Sequence, residues 1–368
     1  MARNVLRNTL RLRKGENLLI ETWSATLPWA ESVVLEARIL GARPLLVVED
    51  EAAYWSAVRT ARPANVGAIG AHEWSALKAS DACLEFMGPY DTLQDERRPE
   101  ALRSRVDSNA HEWFRILHKF GVRAVRWDLG ITSEVRARRY GVSVAEWRRE
   151  LIVGACTDPR PMRAMGRRLA RVLERGREFE VSHPNGTRLT LQLAGRKPWV
   201  QDGIADDAQH GEGHKMVVVP SGVVGVTVDE HQAEGRLVAN TTGVMFLHFR
   251  EVPIHGSWEF RSGRLTRYRM DLGRAAFARE VDSVGPEHLP PGLVSIGLNP
   301  ATSTIPLLFD QELGTVAFEI GRNSIFGGAT RTPHLHAYLA VRKPTVRVDG
   351  EEIVRAGRIT LPNATGPG

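Results

Sequence analysis

Cysteine is nearly absent from this sequence, which holds only Cys83 and Cys156 among its 368 residues. The two lie far apart and belong to no C-x-x-C motif, so we expect neither a disulfide framework nor a zinc site built from thiolates. Sparse cysteine also suits a reducing compartment. We therefore expect a cytoplasmic protein.

Long apolar runs and a strong charge of one sign are missing as well. No window approaches the length that spans a bilayer, and the basic N-terminus lacks the apolar core and cleavage site of a secretory signal. The net charge is only +6. One predicted helix concentrates arginine and could face phosphate or RNA, but no aromatic residues interleave with the arginines, which favours a solvated face. These are Arg163, Arg167, Arg168, Arg171 and Arg175. We expect neither nucleic acid nor a membrane as a partner.

Several common catalytic motifs are absent too. The sequence contains no P-loop, no G-x-G-x-x-G after a strand and no G-x-S-x-G nucleophile elbow. Neither cysteine has the local signature of a catalytic thiol. A serine or cysteine nucleophile is therefore not predicted.

The first half alternates strand and helix signals. Apolar runs such as "NLLIETW", "PLLVVED", "ACLEFMG" and "RAVRWDLG" are separated by amphipathic helical stretches. This rhythm is typical of βαβ units, so we predict an α/β domain with a mainly parallel sheet over residues 1–176.

The second half is dominated by strands. An Asn-Gly turn at Asn185 and Gly186 joins two alternating segments, and short strands then follow one another with little helix. We predict an α+β domain rich in antiparallel strands over residues 177–368, and we expect it to carry the site.

Histidines cluster in this second half, and the sequence "HLH" places His334 and His336 two residues apart. Residues i and i+2 of a strand share one face of the sheet. Two imidazoles so placed can bind one metal ion, or they can simply line a sheet. Histidine and carboxylate ligands suit Zn, Mn and Fe(II).

Five stretches, in this order, resemble the thermophilic aminopeptidase T family (peptidase family M29). They are the N-terminal "NVLRNTLRLRKGENLLIETW" region, "VVVPSGVVGVTVDEHQAEGRLVAN", "VSIGLNP", "LFDQELGTVAFEIGRNSIFGG" and "HLHAYL". The same superfamily includes 2,5-dihydroxypyridine dioxygenase, with mononuclear Fe(II), and 5-nitroanthranilate aminohydrolase. The resemblance implies an α/β domain, a C-terminal metal-binding α+β domain, and a homodimer or larger homo-oligomer.

Four positions depart from the metal-ligand pattern that the resemblance implies. Val223 and Leu293 stand where the peptidases have glutamates, and Ala317 stands where they have a histidine. The closing H-x-D motif keeps its first ligand as His334, but His336 replaces the aspartate. The dioxygenase pattern fits in part, with Leu293 at its upstream histidine. A two-metal peptidase site cannot be assembled from these positions.

Nearby residues can replace the missing ligands. Glu319 lies two residues after Ala317 and so shares its face of the strand, and His231 stands where the family has an acidic residue. We predict one divalent ion, Mn, Fe or Zn, held by His334, His336 and Glu319, with His231 as a further candidate. The alternative is a degenerate site in which Glu319 pairs with Arg322 or Arg331.

These residues predict a metal-dependent hydrolase that cleaves a C–N bond of a small amine, amide or amino-aromatic molecule. Glu234 or Glu230 is the candidate general base, and Arg322 or Arg331 could bind a substrate carboxylate, although arginines more often pair with nearby acids. The alternatives are an Fe(II)-dependent ring-cleaving dioxygenase at the same residues and a non-catalytic member that has lost its metal.

Overall fold

The computed structural model describes residues 1–91, 94, 98–205, 216–247, 250–303, 306–308, 310–330 and 335–361. The described chain forms two compact units, residues 1–159 with 203–221 and residues 160–202 with 222–368. The division after residue 176 stays a prediction. No helix within the described ranges is long and apolar enough to cross a membrane.

The first unit is built on five parallel strands in the order β2-β1-β3-β4-β8. They are β1 (Asn17–Trp23), β2 (Arg43–Glu49), β3 (Ala82–Phe86), β4 (Arg123–Trp127) and β8 (Met216–Val219). The predicted parallel sheet is confirmed. The direction in which successive strands are added to the sheet changes at β1, since β2 lies on one side of β1 and β3 lies on the other.

Helices connect these strands. They are α1 (Ala2–Asn4), α2 (Leu27–Ile39), α3 (Glu51–Thr60), α4 (Pro63–Val66), α5 (Ala71–Lys78), α6 (Glu100–Phe120), α7 (Glu134–Tyr140) and α8 (Val144–Ala155). Val5–Thr9 is a π-helix, and Ser24–Thr26 and Asp128–Ile131 are 3₁₀ turns. Ser143 caps α8 by accepting from the Glu146 N–H, as its S-x-x-E sequence predicts. Helix α6 ends at Gly121, whose left-handed backbone suits glycine.

The second unit holds one large antiparallel sheet, with α9 (Pro159–Arg175) and α10 (Arg274–Val284) as its helices within the described residues. Its early strands are β5 (Glu178–His183), β6 (Thr187–Gln192), β7 (Trp199–Gln201), β9 (Val223–Thr227), β10 (Glu234–Val238), β11 (Gly243–Leu247), β12 (Arg250–Arg261) and β13 (Arg264–Leu272). The later ones are β14 (Pro291–Gly297), β15 (Val316–Gly321), β16 (Leu335–Val341), β17 (Thr345–Val348), β18 (Glu351–Arg355) and β19 (Arg358–Ile359). Pro286–His288 and Ser324–Phe326 are 3₁₀ turns. The predicted antiparallel domain is confirmed.

One face of this sheet forms the main hydrophobic core of the second unit. Val294, Phe318 and Leu339 face that core at almost no exposure, together with Met162 and Leu169 from α9. The arginine-rich helix α9 is therefore amphipathic, with its apolar side buried. Side chains alternate along a strand. The residues that directly precede or follow Val294, Phe318 and Leu339 in the sequence must therefore point to the opposite face of the sheet.

Candidate functional site

The candidate site lies on the sheet face opposite that core, across strands β9, β14, β15 and β16. The strand register places Thr227, Leu293, Glu319 and Tyr338 side by side across the four strands. His336 lies two residues from Tyr338 on β16, so it shares this face. The predicted ligands Glu319 and His336 therefore meet because their strands are neighbours in the sheet.

Glu319 and His336 form the central contact of the site. The Nδ1 atom of His336 lies 2.9 Å from Oε1 of Glu319, a hydrogen-bond distance at which the ring nitrogen donates to the carboxylate. The Glu319 side chain is completely buried, whereas 30% of the His336 side chain is exposed. A buried carboxylate therefore holds one side of an imidazole that other molecules can reach.

The second oxygen of Glu319 lacks a hydrogen bond within the described part of the chain. Oε2 is buried, and the Thr227 hydroxyl, on the same sheet face, is equally buried and unpaired. An unpaired buried oxygen costs about 1–3 kcal/mol, more when it carries charge. These two atoms lie on either side of Leu293, on the face that also carries His336.

Asp310 adds a second carboxyl group to the electrostatics of this site. Burial raises the pKa of Asp310, and the charge of Glu319 raises it further, to about 6. The two carboxyls therefore interact, and bringing a positive charge near them would relieve that repulsion.

Aromatic rings surround His336. Its ring centroid lies 5.0 Å from that of Phe246 and 5.1 Å from that of Tyr338. Phe246 is the residue directly opposite His336 on β11. The imidazole is therefore packed against two aromatic rings, which help to hold its position.

An apolar cluster contains Val223 and Leu293, two of the positions that depart from the ligand pattern implied by the resemblance. Val223 and Leu293 pack with Trp199 and Phe326, whose rings stack with centroids 5.3 Å apart. The Trp199 ring passes so close to Gly225 that an added Cβ would come within 2.4 Å of it. Val223 and Leu293 thus lie in packed hydrophobic surroundings among the described residues.

Glu230, a predicted general base, is a structural clamp in this fold. Its two oxygens accept hydrogen bonds from the Arg196 guanidinium, and Oε1 also accepts from the Asn323 amide and the Ala329 N–H. Burial alone would raise its pKa, but these hydrogen bonds outweigh burial and lower the pKa to about 2. Such an ionised, occupied carboxylate is poorly suited to accept a proton. The sequence offered no signal for this role, because its partners lie 34 to 99 residues away.

Of the remaining predicted site residues, three lie in described parts of the chain and two fall outside them. Glu234 is exposed and accepts from the backbone and hydroxyl of Ser262, and the exposed His231 sits in a turn where its N–H donates to Asp229. The partly exposed Arg322 directly follows β15. His334 and Arg331 fall outside the described residues. Within the described residues, no group of three histidine, cysteine, aspartate or glutamate side chains is arranged to hold a metal.

Comparisons with known proteins identify the fold. No family model matches the sequence, and no curated protein matches it. Among the solved structures that match, two do so over almost their whole length. Wild-type AmpT from Thermus thermophilus shares 17% identity at a TM-score of 0.69, covering 98% of each chain. A 2,5-dihydroxypyridine dioxygenase from Pseudomonas putida KT2440 shares 17% identity at a TM-score of 0.64, covering 98% of this chain and 96% of that one. The resemblance inferred from the sequence is thus confirmed: this chain has the fold that AmpT and the dioxygenase share.

Proposed function

We propose that this protein is an enzyme that hydrolyses a C–N bond of a small amine, amide or amino-aromatic substrate at a single divalent metal ion. The ion would be held by Glu319, His336 and His334. The 2.9 Å contact between Glu319 and His336 carries this proposal. The fold neighbours, AmpT and a dioxygenase, support an enzyme of some kind.

The described residues fit a metal ion in two respects. Oε1 of Glu319 lies 2.9 Å from Nδ1 of His336, so this carboxylate would orient the imidazole that binds the ion, as carboxylates commonly do beside metal-binding histidines. The unpaired Oε2 of Glu319 supplies a further acceptor for a cation. Nitrogen and carboxylate donors suit Zn, Mn and Fe(II) alike.

The bound ion would supply a Lewis acid and a water molecule of lowered pKa. The chain itself would orient His336 through Phe246 and Tyr338. It would also exclude a second ion, because Val223 and Leu293 stand at the implied ligand positions in an apolar cluster. The single-ion site is what separates this proposal from a two-metal peptidase.

The first test is metal content, measured on protein purified without chelator. We expect about one equivalent of Mn, Fe or Zn in the wild type. We expect a loss of at least tenfold in affinity for His336→Ala and for Glu319→Gln, because each removes a ligand. His255→Ala is the matched control, since His255 also pairs with a carboxylate, Asp271, but on another strand. Metal-loaded protein is then assayed for amine or ammonia release from small amides and amino-aromatic acids.

Two outcomes contradict the proposal. Equal metal content in the wild type and in His336→Ala would show that the pair only lines a sheet. Protein that is fully loaded with metal but releases no amine from any substrate class would contradict the hydrolase activity, although the metal site itself would stand.

A ring-cleaving dioxygenase using Fe(II) is the second candidate. It is favoured by the state of Glu230, which is clamped by Arg196 and Asn323, and of Glu234, which is occupied by Ser262. Neither predicted base is therefore free, and a two-histidine, one-carboxylate iron site needs no such base. Oxygen uptake on hydroxypyridines and aminophenols, with Fe(II) loaded anaerobically, would favour this candidate over the hydrolase.

A further inference from the structure

The open edge of the first unit's sheet is strand β2. It is the terminal strand and pairs only with β1 among the described residues. The N–H of Arg43 donates inward to the Glu16 carbonyl. Alternate residues point their backbone groups the opposite way, so those of Pro44, Leu46 and Val48 face outward. No described residue forms a hydrogen bond with these outward groups.

Exposed apolar side chains concentrate along this edge. Leu45 and Val48 are 50% and 44% exposed, and Leu35 and Ile39 of the adjoining helix α2 are 60% and 56% exposed. These are four of the nine large hydrophobic residues that are exposed in the described chain. An open strand edge beside apolar side chains is a surface that another strand can pair with.

The charges at the two ends of β2 are opposite and unpaired. Arg43 begins the strand and Glu49 ends it, and neither side chain forms a hydrogen bond or ion pair with a described residue. Burial raises the pKa of Glu49, and the nearby charges of Glu73 and Asp50 raise it further. A cation beside Glu49 would therefore be stabilising.

We propose that β2 pairs antiparallel with β2 of a second copy of this chain, about a two-fold axis at Leu46. The strand sequence is self-complementary in this register, since opposite ends carry opposite charges and the centre is apolar. The opposed residues are Arg43 with Glu49, Pro44 with Val48, Leu45 with Val47, and Leu46 with itself.

Most of the outward backbone groups also match in this register. The Leu46 N–H of each strand donates to the Leu46 carbonyl of the other, and the Val48 N–H donates to the opposite Pro44 carbonyl. Proline has no N–H, and it often protects strand edges for that reason. Here Pro44 faces outward opposite Val48, so the Val48 carbonyl of each strand gains no donor, and the pairing forms four hydrogen bonds where six would otherwise form.

The test measures self-association of the full chain by sedimentation velocity across a series of protein concentrations. The wild type is expected to form a dimer. Arg43→Glu and Glu49→Arg should each weaken the dimer at least tenfold, because each variant opposes like charges twice. Mixing the two variants should restore a dimer, since every pair across that heterodimer is then opposite in charge. Lys78→Glu, an exposed reversal on helix α5, is the control that should leave the dimer unchanged.

The results of these measurements distinguish a dimer formed through β2 from a dimer formed through another surface. A wild type that stays monomeric at every concentration overturns the proposal, as does a dimer that neither reversal weakens. A dimer that both reversals weaken, but that mixing does not restore, would show that β2 meets a different surface and would also overturn it. Circular dichroism of each variant distinguishes lost pairing from lost folding.

Discussion

Two glutamates, one in each unit, lie among strands but have opposite acid–base properties. Glu230 in the second unit accepts four hydrogen bonds from Arg196, Asn323 and Ala329, and its pKa falls to about 2. Glu85 in the first unit stands beside Glu21 and Arg126 in the parallel sheet. Burial raises its pKa, and the Arg126 charge only partly offsets this, leaving it at about 7.

The difference teaches that several hydrogen bonds to a carboxylate can together outweigh the effect of burial on its pKa, as they do for Glu230, whereas burial prevails for Glu85. Glu230, which accepts four hydrogen bonds, keeps its charge, while Glu85, which has one cation nearby and the further acids Glu21 and Asp128, more readily takes up a proton. In Glu319, one oxygen is bound to His336 and the other has no hydrogen-bond partner among the described residues. The unpaired oxygen of Glu319 is the reason for placing the candidate site on this face of the sheet.

The largest effect is expected for Glu230→Gln, which removes the charge that Arg196 pairs with. We expect a loss of about 3 kcal/mol in the free energy of unfolding at pH 7. The wild type should lose the same stabilisation as the pH falls from about 4.5, the ordinary glutamate pKa, towards about 2, the pKa in the folded state. Denaturant unfolding at several pH values measures both. A variant as stable as the wild type at pH 7 would show that the clamp contributes nothing.

A smaller effect of opposite sign is expected for Glu85→Gln. The folded-state pKa is raised to about 7 from an ordinary value of 4.5, so this group costs stability as the pH rises from about 4.5 to about 7. The variant lacks that cost and should be more stable than the wild type above pH 7, by about 1–3 kcal/mol. Unfolding curves at pH 5 and pH 8 measure the difference. An identical pH dependence of the two proteins would contradict the raised pKa.

The smallest effect is expected for Glu112→Gln. Glu112 pairs with Arg115 one turn away on α6, as Glu230 pairs with Arg196, but the pair is exposed. Solvent screens an exposed pair, so removing it should leave the free energy of unfolding unchanged within error. The same unfolding assay measures this. A clear loss of stability would contradict the expectation that an exposed ion pair contributes far less than the buried pair of Glu230 and Arg196.

Much of the fold could be predicted from the sequence, because the relevant signals are local. Strand and helix periodicity indicated a parallel sheet followed by antiparallel strands, and the Asn-Gly dipeptide at Asn185 marked the hairpin of β5 and β6. Residue spacing also put Ala317 and Glu319 on one face of β15. These patterns depend on side-chain alternation within one segment, which needs no knowledge of its neighbours.

Only the tertiary structure decided which of these faces meet. Residues 216–219 join the first unit's sheet beside β4, although they follow the first strands of the second unit. Glu319 contacts His336 because β15 and β16 are neighbours, and Glu230 is bound by groups up to 99 residues away. Strand pairing and hydrogen-bond partners join distant parts of the chain. The sequence by itself therefore determined the elements and their faces, and packing alone decided which carboxylates are satisfied and which remain open for chemistry.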